Sequence, residues 1–321
     1  MNMTRAHTLL SLMRRELWES PVAFKWTPLG IAAFITLMVL LLLIIGARVD
    51  TEMAFTLDGI RMFAEQPREQ REAIITGALF SVSVLFIQIM ILVVLFYLAG
   101  SLYDDRKDRS ILFWKSLPVS DRMTVASKIL TACLLVPVIF LAGIILTQII
   151  LLVIATAYGL IAGINPVTTF WLPASLPHMW TVLSFGFVVQ ALWLLPIYAW
   201  LVFCSSWAPR LPILIAIVIP LMVGLMQHFW SFYTGFRLPE FNLLLVMLKR
   251  LGTGALPMST NWNVQRTAGE GFSHVVPGQE MFISFSTVFG HLLKPEMWIG
   301  VAIALVFLAA SVWFRRRATD N

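Results

Sequence analysis

The feature that most constrains this chain is a long run without a single charged side chain, from Ile129 to Pro209. As one continuous α-helix its 81 residues would extend about 120 Å, several times the thickness of a bilayer. The run must therefore fold back on itself. Glycine, asparagine and proline residues gather between Gly159 and Pro177 and place the turn there. The stretch predicts two membrane-spanning helices joined by a short connection.

The composition of the whole chain excludes a water-soluble fold. Of its 321 residues, 59% are hydrophobic and 12% are charged, whereas soluble domains carry about 25% charged residues. The mean hydropathy is +0.84, and no charge-rich, low-complexity tract is present, which also excludes a disordered chain. Because a transmembrane helix needs about 20 apolar residues, the span is the unit of organisation.

Six segments meet this length requirement and predict an all-α, polytopic membrane protein with six transmembrane helices. Tryptophans such as Trp26, Trp207 and Trp230 stand near the ends of these segments, as interfacial aromatic residues do. The predicted spans are approximately Thr27 to Ala47, Ala73 to Tyr103, Ile129 to Leu160, Met179 to Phe203, Leu211 to Tyr233, and Met297 to Phe314.

The basic residues indicate how the spans are oriented. If the N-terminus is cytoplasmic, 14 of the 23 lysines and arginines fall in cytoplasmic segments, and acidic residues outnumber basic ones in the first outer loop. Loops rich in lysine and arginine stay inside, so both termini are predicted to be cytoplasmic. The net charge of +6 thus reflects topology. It does not indicate nucleic-acid binding, because the charges flank apolar runs and do not form one folded face.

This topology divides the chain into three parts. Residues 1–26 are predicted to form a cytoplasmic amphipathic helix, residues 27–314 the six-span domain, and residues 315–321 a basic cytoplasmic tail. Apolar residues recur at helical spacing between Ala6 and Leu17. Such a helix lies along the inner membrane interface, in contact with lipid head groups, or packs on the cytoplasmic loops of its own chain; the sequence fits both interpretations.

A second feature outside the spans is the long outer loop, residues 234–296. Within it, Phe241 to Leu248 is apolar but too short to cross a membrane. Two interpretations remain open for this segment. It is a short re-entrant or interfacial helix, or it belongs to a small folded cap on the outer side.

No pattern of catalytic or metal-binding residues is present. The H-E-x-x-H, G-x-S-x-G and G-x-x-x-x-G-K-[ST] motifs are all missing. The five histidines are scattered without ligand spacing, and two cysteines are too few for a four-ligand zinc site. The chain is therefore predicted to be a non-catalytic subunit without a cofactor or metal of its own.

The predicted spans also lack the ionisable residues that ion-driven transporters carry within the membrane. The polar residues there include Gln88, Gln148 and Gln190, which are candidates for lining a transport path. The alternative is that these glutamines form hydrogen bonds between helices. Energy for transport must then come from elsewhere, and an ATP-driven partner is the natural source.

One inner loop carries most of the functional argument, the segment from 103 to 128 between the second and third spans. It begins with charges of both signs, continues through the apolar residues Ile111 to Trp114, and is broken at Pro118. Ser120 and Asp121 can then start the next helix. A short helix with aromatic and charged groups together suits docking into a groove of a soluble protein. The alternative is an ordinary solvated loop.

In this loop the sequence resembles the ABC-2-type permeases, the membrane subunits of ATP-binding-cassette exporters. The resemblance rests on the charged cluster from Asp104 to Arg109, the apolar Ile111 to Trp114, the turn Leu117-Pro118-Val119-Ser120, and Lys128. The stretch from Arg15 to Glu19 is similar to the amphipathic elbow helix that precedes the first span in this family.

The resemblance implies a permease dimer seated on two copies of a separate ATPase, which bind ATP and magnesium. It also implies a bacterial inner membrane, an elbow helix positioned by Arg15, Glu16 and Trp18, and short helices in the outer loop that help close the exit. The inner loop would be the coupling helix. Its expected coupling residues are Arg106, Asp108, Arg109, Phe113, Trp114, Lys115 and Pro118.

Two other functions remain open at this point. One is a mechanical transmission subunit that acts on a periplasmic or membrane-bound partner and moves no solute through itself. The length of the outer loop leaves room for such a periplasmic protein. The other is a stand-alone facilitator, which would conduct without ATP.

Overall fold

The structure is a computed structural model that describes residues 3–46, 57–107, 119–234, 242–254 and 285–317. Within these ranges the regular secondary structure is entirely helical and no β-strand is found. The helices of this described part are α1 (Met3–Glu19), α2 (Thr27–Gly46), α3 (Leu57–Glu65), α4 (Arg68–Gly100), α5 (Tyr103–Lys107), α6 (Asp121–Leu130), α7 (Val136–Ile161), α8 (Leu176–Trp207), α9 (Pro212–Thr234), α10 (Leu243–Gly254), α11 (Phe285–Leu292) and α12 (Pro295–Arg317).

Three π-helical turns connect these elements. They cover Val22–Trp26 before α2, Thr131–Leu135 between α6 and α7, and Val167–Trp171 before α8. Single π turns of this kind occur mostly as local interruptions next to or within α-helices.

Six stretches are long and apolar enough to cross a membrane, which confirms the predicted number of spans. Spans 2, 3 and 4 have 40, 41 and 41 residues, while spans 1, 5 and 6 have only 24, 19 and 23. In order, spans 1 to 6 are Val22–Ile45, Arg68–Lys107, Asp121–Ile161, Val167–Trp207, Pro212–Trp230 and Pro295–Arg317.

The turn between spans 3 and 4 lies where the sequence placed it. Helix α7 ends at Ile161 and α8 begins at Leu176. Gly163 adopts a positive φ of 76°, a conformation that glycine tolerates without strain. The glycine therefore reverses the chain immediately after the helix.

Helix α8 forms the centre of the bundle. It has buried residues along its whole length, and α4, α7, α9, α10, α11 and α12 all pack against it. Its contact with α12 is the most extensive helix pair in the described part of the chain. The fully buried side chains of this core include Phe86, Phe140, Leu183 and Leu194. The remaining apolar faces of spans 1, 5 and 6 are largely exposed, as faces that contact lipid are.

A glycine lets α2 and α4 approach α7 closely. A Cβ atom at Gly143 would lie 2.9 Å from the ring of Phe86 and 3.2 Å from Pro28. Small residues at such a crossing allow the backbones to come together, which substitutes for the hydrophobic effect inside a bilayer.

The described part of the apolar segment in the outer loop lies in helix α10 from Leu243 onward, and α10 packs on the sides of α8 and α9. The side chain of Asn242 donates to the carbonyl oxygen of Gly224 in the middle of α9 (3.0 Å). At the other end of α10, Gln190 of α8 donates to the carbonyl oxygen of Gly254 (3.0 Å). These contacts attach α10 to the spans, and the choice between a re-entrant or interfacial helix and a small folded cap stays open, since residues 255–284 lie outside the described part.

Candidate functional site

Most of the predicted coupling residues lie outside the described part of the chain. Asp108, Arg109, Phe113, Trp114, Lys115 and Pro118 fall in residues 108–118, which the structure does not describe. Their role in docking stays a prediction. What the structure describes is the protein on both sides of that segment, α5 before it and α6 after it.

At the end of the bundle that adjoins this segment, the structure places a buried acidic residue, Glu16. It lies on the face of α1 that also buries Leu12 and Met13. Both of its carboxylate oxygens accept hydrogen bonds from the ammonium group of Lys128, at 3.1 and 3.2 Å. The hydroxyl of Tyr97 donates to the same carboxylate at 2.7 Å. Glu16 is 3% exposed and Lys128 2%, so this ion pair is almost completely removed from solvent.

A second buried carboxylate, that of Asp105 in α5, extends the network to the last helix. The guanidinium of Arg315 in α12 donates to it at 3.0 Å, and its Nε lies 3.3 Å from Asp121 at the start of α6. Arg15 and Lys128 approach the other oxygen of Asp105 at 3.8 and 3.9 Å. The ion pairs thus join α1, α5, α6 and α12, and we call this set of residues the ion-pair network.

Local sequence explains how α6 contributes to the network. The hydroxyl of Ser120 accepts a hydrogen bond from the backbone N–H of Met123 at 3.3 Å, so Ser120 caps the start of the helix as predicted. Asp121 and Lys128 are two helical turns apart and therefore share one face of α6. That face meets Arg315 on one side and Glu16 on the other.

Burial makes this network costly to disturb. A buried ion pair gains little net stability, but removing one partner leaves an uncompensated charge in a medium of low dielectric constant.

The charges around Arg15 also change the pKa of its guanidinium group. Its partial burial alone would lower the pKa, but the hydrogen bond to Glu19 and the charges of Glu16, Glu19 and Asp105 raise that pKa above its ordinary value.

Arg106, the one predicted coupling residue that the structure describes, contacts span 4. Its guanidinium donates to the carbonyl oxygens of Ser205 and Ala208, at 2.8 Å each. The hydroxyl of Ser205 in turn accepts the backbone N–H groups of Leu102 and Tyr103. Arg106 therefore holds the ends of spans 2 and 4 together, and docking of this residue to a partner stays a prediction.

The three residues expected in an elbow helix have different environments. Arg15 and Glu16 belong to the ion-pair network, whereas Trp18 points away from it and is 72% exposed. An exposed tryptophan beside the first span is typical of a residue at a membrane interface.

Sequence reasoning missed Tyr97, Asp105, Asp121 and Arg315 as members of one site. Arg315 was assigned to a basic tail, yet the helix continues through Arg317 and Arg315 is only 3% exposed. The available signal was a tyrosine within an otherwise apolar span and an acidic pair at its end. Neither feature indicates which distant cation it meets.

Two of the three glutamines expected to line a path, Gln148 and Gln190, make hydrogen bonds between helices. Gln148 is fully buried, donates to the carbonyl oxygen of Leu79 and the hydroxyl of Ser83, and accepts from the indole N–H of Trp180. Gln190 donates to Gly254, as described above, and Gln88 is half-buried. These hydrogen bonds give Gln148 and Gln190 a structural role. That Gln88, Gln148 and Gln190 line a transport path stays a prediction.

The surface around the ion-pair network is strongly basic. Among the described residues at this end of the bundle, seven cations but only two acidic residues, Glu19 and Asp104, are exposed. At the opposite end, exposed residues of the two signs are balanced. The seven cations are Arg14, Lys25, Lys107, Arg122, Arg210, Arg316 and Arg317. We call this end the charged end.

The described residues contain no group of three or more histidine, cysteine, aspartate or glutamate side chains that could hold a metal ion. The arrangement is instead one of mechanical links between helix ends. Comparison of the chain with known protein families, with curated proteins and with solved structures finds no match.

Proposed function

We propose that this chain is the membrane-spanning subunit of an ABC exporter of the ABC-2 type, which couples ATP hydrolysis by a separate ATPase to the export of a substrate. The observation that carries the proposal is the buried pair between Glu16 and Lys128. This pair locks the N-terminal helix to the end of the segment in which the sequence places the coupling helix.

The contacts on both sides of residues 108–118 support a mechanical route out of that segment. On the N-terminal side, Asp105 pairs with Arg315 of span 6, and Arg106 binds the end of span 4. On the C-terminal side, Lys128 of span 3 pairs with Glu16 of α1. A push on the segment from a partner would therefore reach α1 and spans 3, 4 and 6 together.

The basic surface of the charged end supports a cytoplasmic location for it and for both termini. In this orientation α1 is the elbow helix, and Trp18 faces the lipid interface. ATP and magnesium are bound by the two copies of the partner ATPase, and a second copy of this chain completes the permease. The chain itself performs no catalysis.

A test uses the permease reconstituted with its ATPase. The Trp114→Ala variant should still insert but should abolish stimulation of ATP hydrolysis, because an apolar anchor of the docking helix is lost. Trp298→Ala is the matched control, since Trp298 is 57% exposed at the opposite end. Full stimulation of the Trp114 variant, or labelling of position 114 from the outer side, would refute the proposal.

The mechanical transmission subunit is the second candidate, and the unequal span lengths favour it. Helix α4 has 33 residues, span 3 is helical through 41 residues, and α8 has 32, about 50 to 60 Å of helix each, whereas a hydrocarbon core is about 30 Å thick. Helices of this length can carry movement well beyond the bilayer. The two candidates differ in liposomes that contain only the permease and its ATPase. There, an exported substrate changes the rate of ATP hydrolysis, and a transmission subunit shows no such response.

A further inference from the structure

A cavity of about 440 Å³ lies at the charged end, between the end of span 2 and the start of span 5. This volume is within the roughly 300–1,000 Å³ of small-molecule sites. Span 2 contributes residues from Phe96 to Lys107, and the other side is formed by Arg210 to Ile213. The described lining contains no member of the ion-pair network, and none of the functional roles argued above uses this cavity.

One part of the lining is apolar and faces the side where lipid lies. Phe96 and Leu211 both line the cavity, and each is 64% exposed. The exposed apolar surface continues one helical turn further from the cavity, at Leu92 of span 2 and Leu214 of span 5. In a membrane protein, such side chains contact acyl chains. An acyl chain can therefore lie along this surface and reach the cavity.

The other part of the lining is basic. Lys107 and Arg210 both line the cavity, and both are exposed. Among the described residues, neither cation is joined to a carboxylate by an ion pair. Asp104 is the one carboxylate in the described lining, so two cations against one acidic residue leave an excess of positive charge.

A third cation stands behind the wall of the cavity. The guanidinium of Arg106 lies 5.8 Å from the centre of the Tyr103 ring, and Tyr103 lines the cavity. Arg106 donates to the main-chain carbonyl oxygens of Ser205 and Ala208, which hold the guanidinium in place without cancelling its charge. Charges of one sign in a cleft with low-dielectric walls raise the local concentration of the opposite charge. The cavity therefore favours an anionic group.

We propose that this cavity binds an anionic phospholipid, with the phosphate group between Lys107 and Arg210 and an acyl chain along Phe96 and Leu211. The planar fork of an arginine fits two phosphate oxygens, and a lysine adds up to three further donors. The excess of positive charge favours a lipid with net negative charge, such as phosphatidylglycerol, over phosphatidylethanolamine, whose amine it repels. This inference depends on the membrane location of the chain and not on a partner ATPase.

The test measures the lipids that remain bound to the full chain after reconstitution into vesicles of equal phosphatidylethanolamine and phosphatidylglycerol and mild extraction, by native mass spectrometry. The wild-type protein should retain phosphatidylglycerol above its bulk share. Arg210→Gln and Lys107→Gln should each lower that enrichment roughly two- to five-fold, the range expected for one exposed ionic contact.

Arg122→Gln is the matched control, because it removes the same charge from an exposed position at the same end but outside the cavity. It should leave the enrichment unchanged. General attraction of anionic lipids to the seven exposed cations of the charged end predicts equal losses in all three variants. Equal losses would therefore overturn the proposal, as would retention that is unchanged in both Arg210→Gln and Lys107→Gln.

A fourth variant and a competitor distinguish a lipid from a free phosphate compound. Leu211 has a positive φ of 46°, a conformation that asparagine tolerates better than leucine. Leu211→Asn therefore removes an apolar contact without adding backbone strain, and it should also lower the enrichment. Glycerol phosphate, which lacks acyl chains, should not displace the retained lipid at equal concentration. Displacement by glycerol phosphate, full retention in Leu211→Asn, or enrichment of phosphatidylethanolamine would each contradict an anionic lipid site.

Discussion

Arginines donate to main-chain carbonyl oxygens at both ends of this bundle, as Arg106 does at the charged end, but the buried ion pairs of the described residues lie at the charged end. At the charged end, Lys128 and Arg315 are nearly inaccessible and pair with carboxylates of other helices. At the opposite end, arginines donate to main-chain carbonyl oxygens. Arg61 donates to Ala162, Arg71 to Thr168, and Arg250 to Trp193.

The difference lies in what remains when one partner is removed. A carboxylate left alone in the interior keeps a charge that the surroundings cannot solvate. A backbone carbonyl left alone is neutral, and near the surface water replaces the lost donor. Substitution of one partner should therefore lower the free energy of unfolding far more at the charged end than at the opposite end. The four predictions below test this comparison, from the largest effect to the smallest.

The largest effect is expected for Lys128→Met. The substitution leaves the buried carboxylate of Glu16 without its main cation, which should lower the free energy of unfolding by roughly 3–5 kcal/mol. Reversible unfolding in mixed detergent micelles measures this change. The Lys128→Met, Glu16→Gln double variant is the control and should recover much of the loss, because no isolated charge remains. If the double variant were as unstable as the single one, charge pairing would not explain the effect.

A smaller effect at the same end is expected for Tyr97→Phe. The phenol hydroxyl donates to Glu16, and hydrogen bonds to charged groups contribute about 1.5–3 kcal/mol. The ring remains, so its edge-to-face contact with Phe24 at 5.0 Å is retained. In the background of Glu16→Gln the same substitution should cost distinctly less. An equal loss in both backgrounds would show that the hydroxyl does not act through the charge of Glu16.

At the opposite end the largest effect is expected for Arg250→Gln. Its guanidinium donates to the carbonyl oxygen of Trp193 at 2.6 Å and lies 4.6 Å from the centre of the indole ring. Loss of both contacts should cost about 1–2 kcal/mol. Burial lowers the pKa of Arg250, and the charge of Glu296 opposes that shift. Arg250→Lys serves as the comparison. Lysine keeps the charge but cannot donate in the same planar geometry. A loss from Arg250→Gln above 3 kcal/mol would contradict the proposed difference between the ends.

The smallest effect is expected for Arg61→Ala. This side chain is 54% exposed, and it donates to the carbonyl oxygen of Ala162 and to Asp58. Exposed pairs contribute about 0–1 kcal/mol, and that contribution should shrink further in 0.5 M salt. The free energy of unfolding of both variants, Arg61→Ala and Lys128→Met, is measured at low and high ionic strength. If the loss caused by Lys128→Met depended strongly on salt and the loss caused by Arg61→Ala did not, the proposed difference between the two ends would be wrong.

Much of the fold follows from local features of the sequence. The six apolar segments, the turn before Leu176 and the start of α6 at Ser120 were all predicted correctly. Each depends on residues that are close to one another in the sequence. The predicted spans 2 and 3 were too short, because the charged residues at their ends lie inside the helical stretches Arg68–Lys107 and Asp121–Ile161. A prediction from hydropathy alone ends each span at the first charged residue.

The candidate site was predicted only in fragments. Glu16 and Lys128 were each recognised, as parts of an elbow and of a coupling loop, but their pairing across 112 positions was not. Arg315 and Asp105 are 210 positions apart, and the arginine had been placed in a tail. The basic character of the charged end was visible in the sequence, whereas the partners of its buried carboxylates were not.

The amino-acid sequence by itself determined that six segments are long and apolar enough to cross a membrane, and which ends of these segments are rich in basic residues. Transfer of apolar side chains out of water is a local property that adds up residue by residue. The tertiary structure alone decided which charges become partners and where a cavity remains between helices. Those outcomes depend on the faces that neighbouring helices bury against one another, and packing between distant segments is not a sum over single residues.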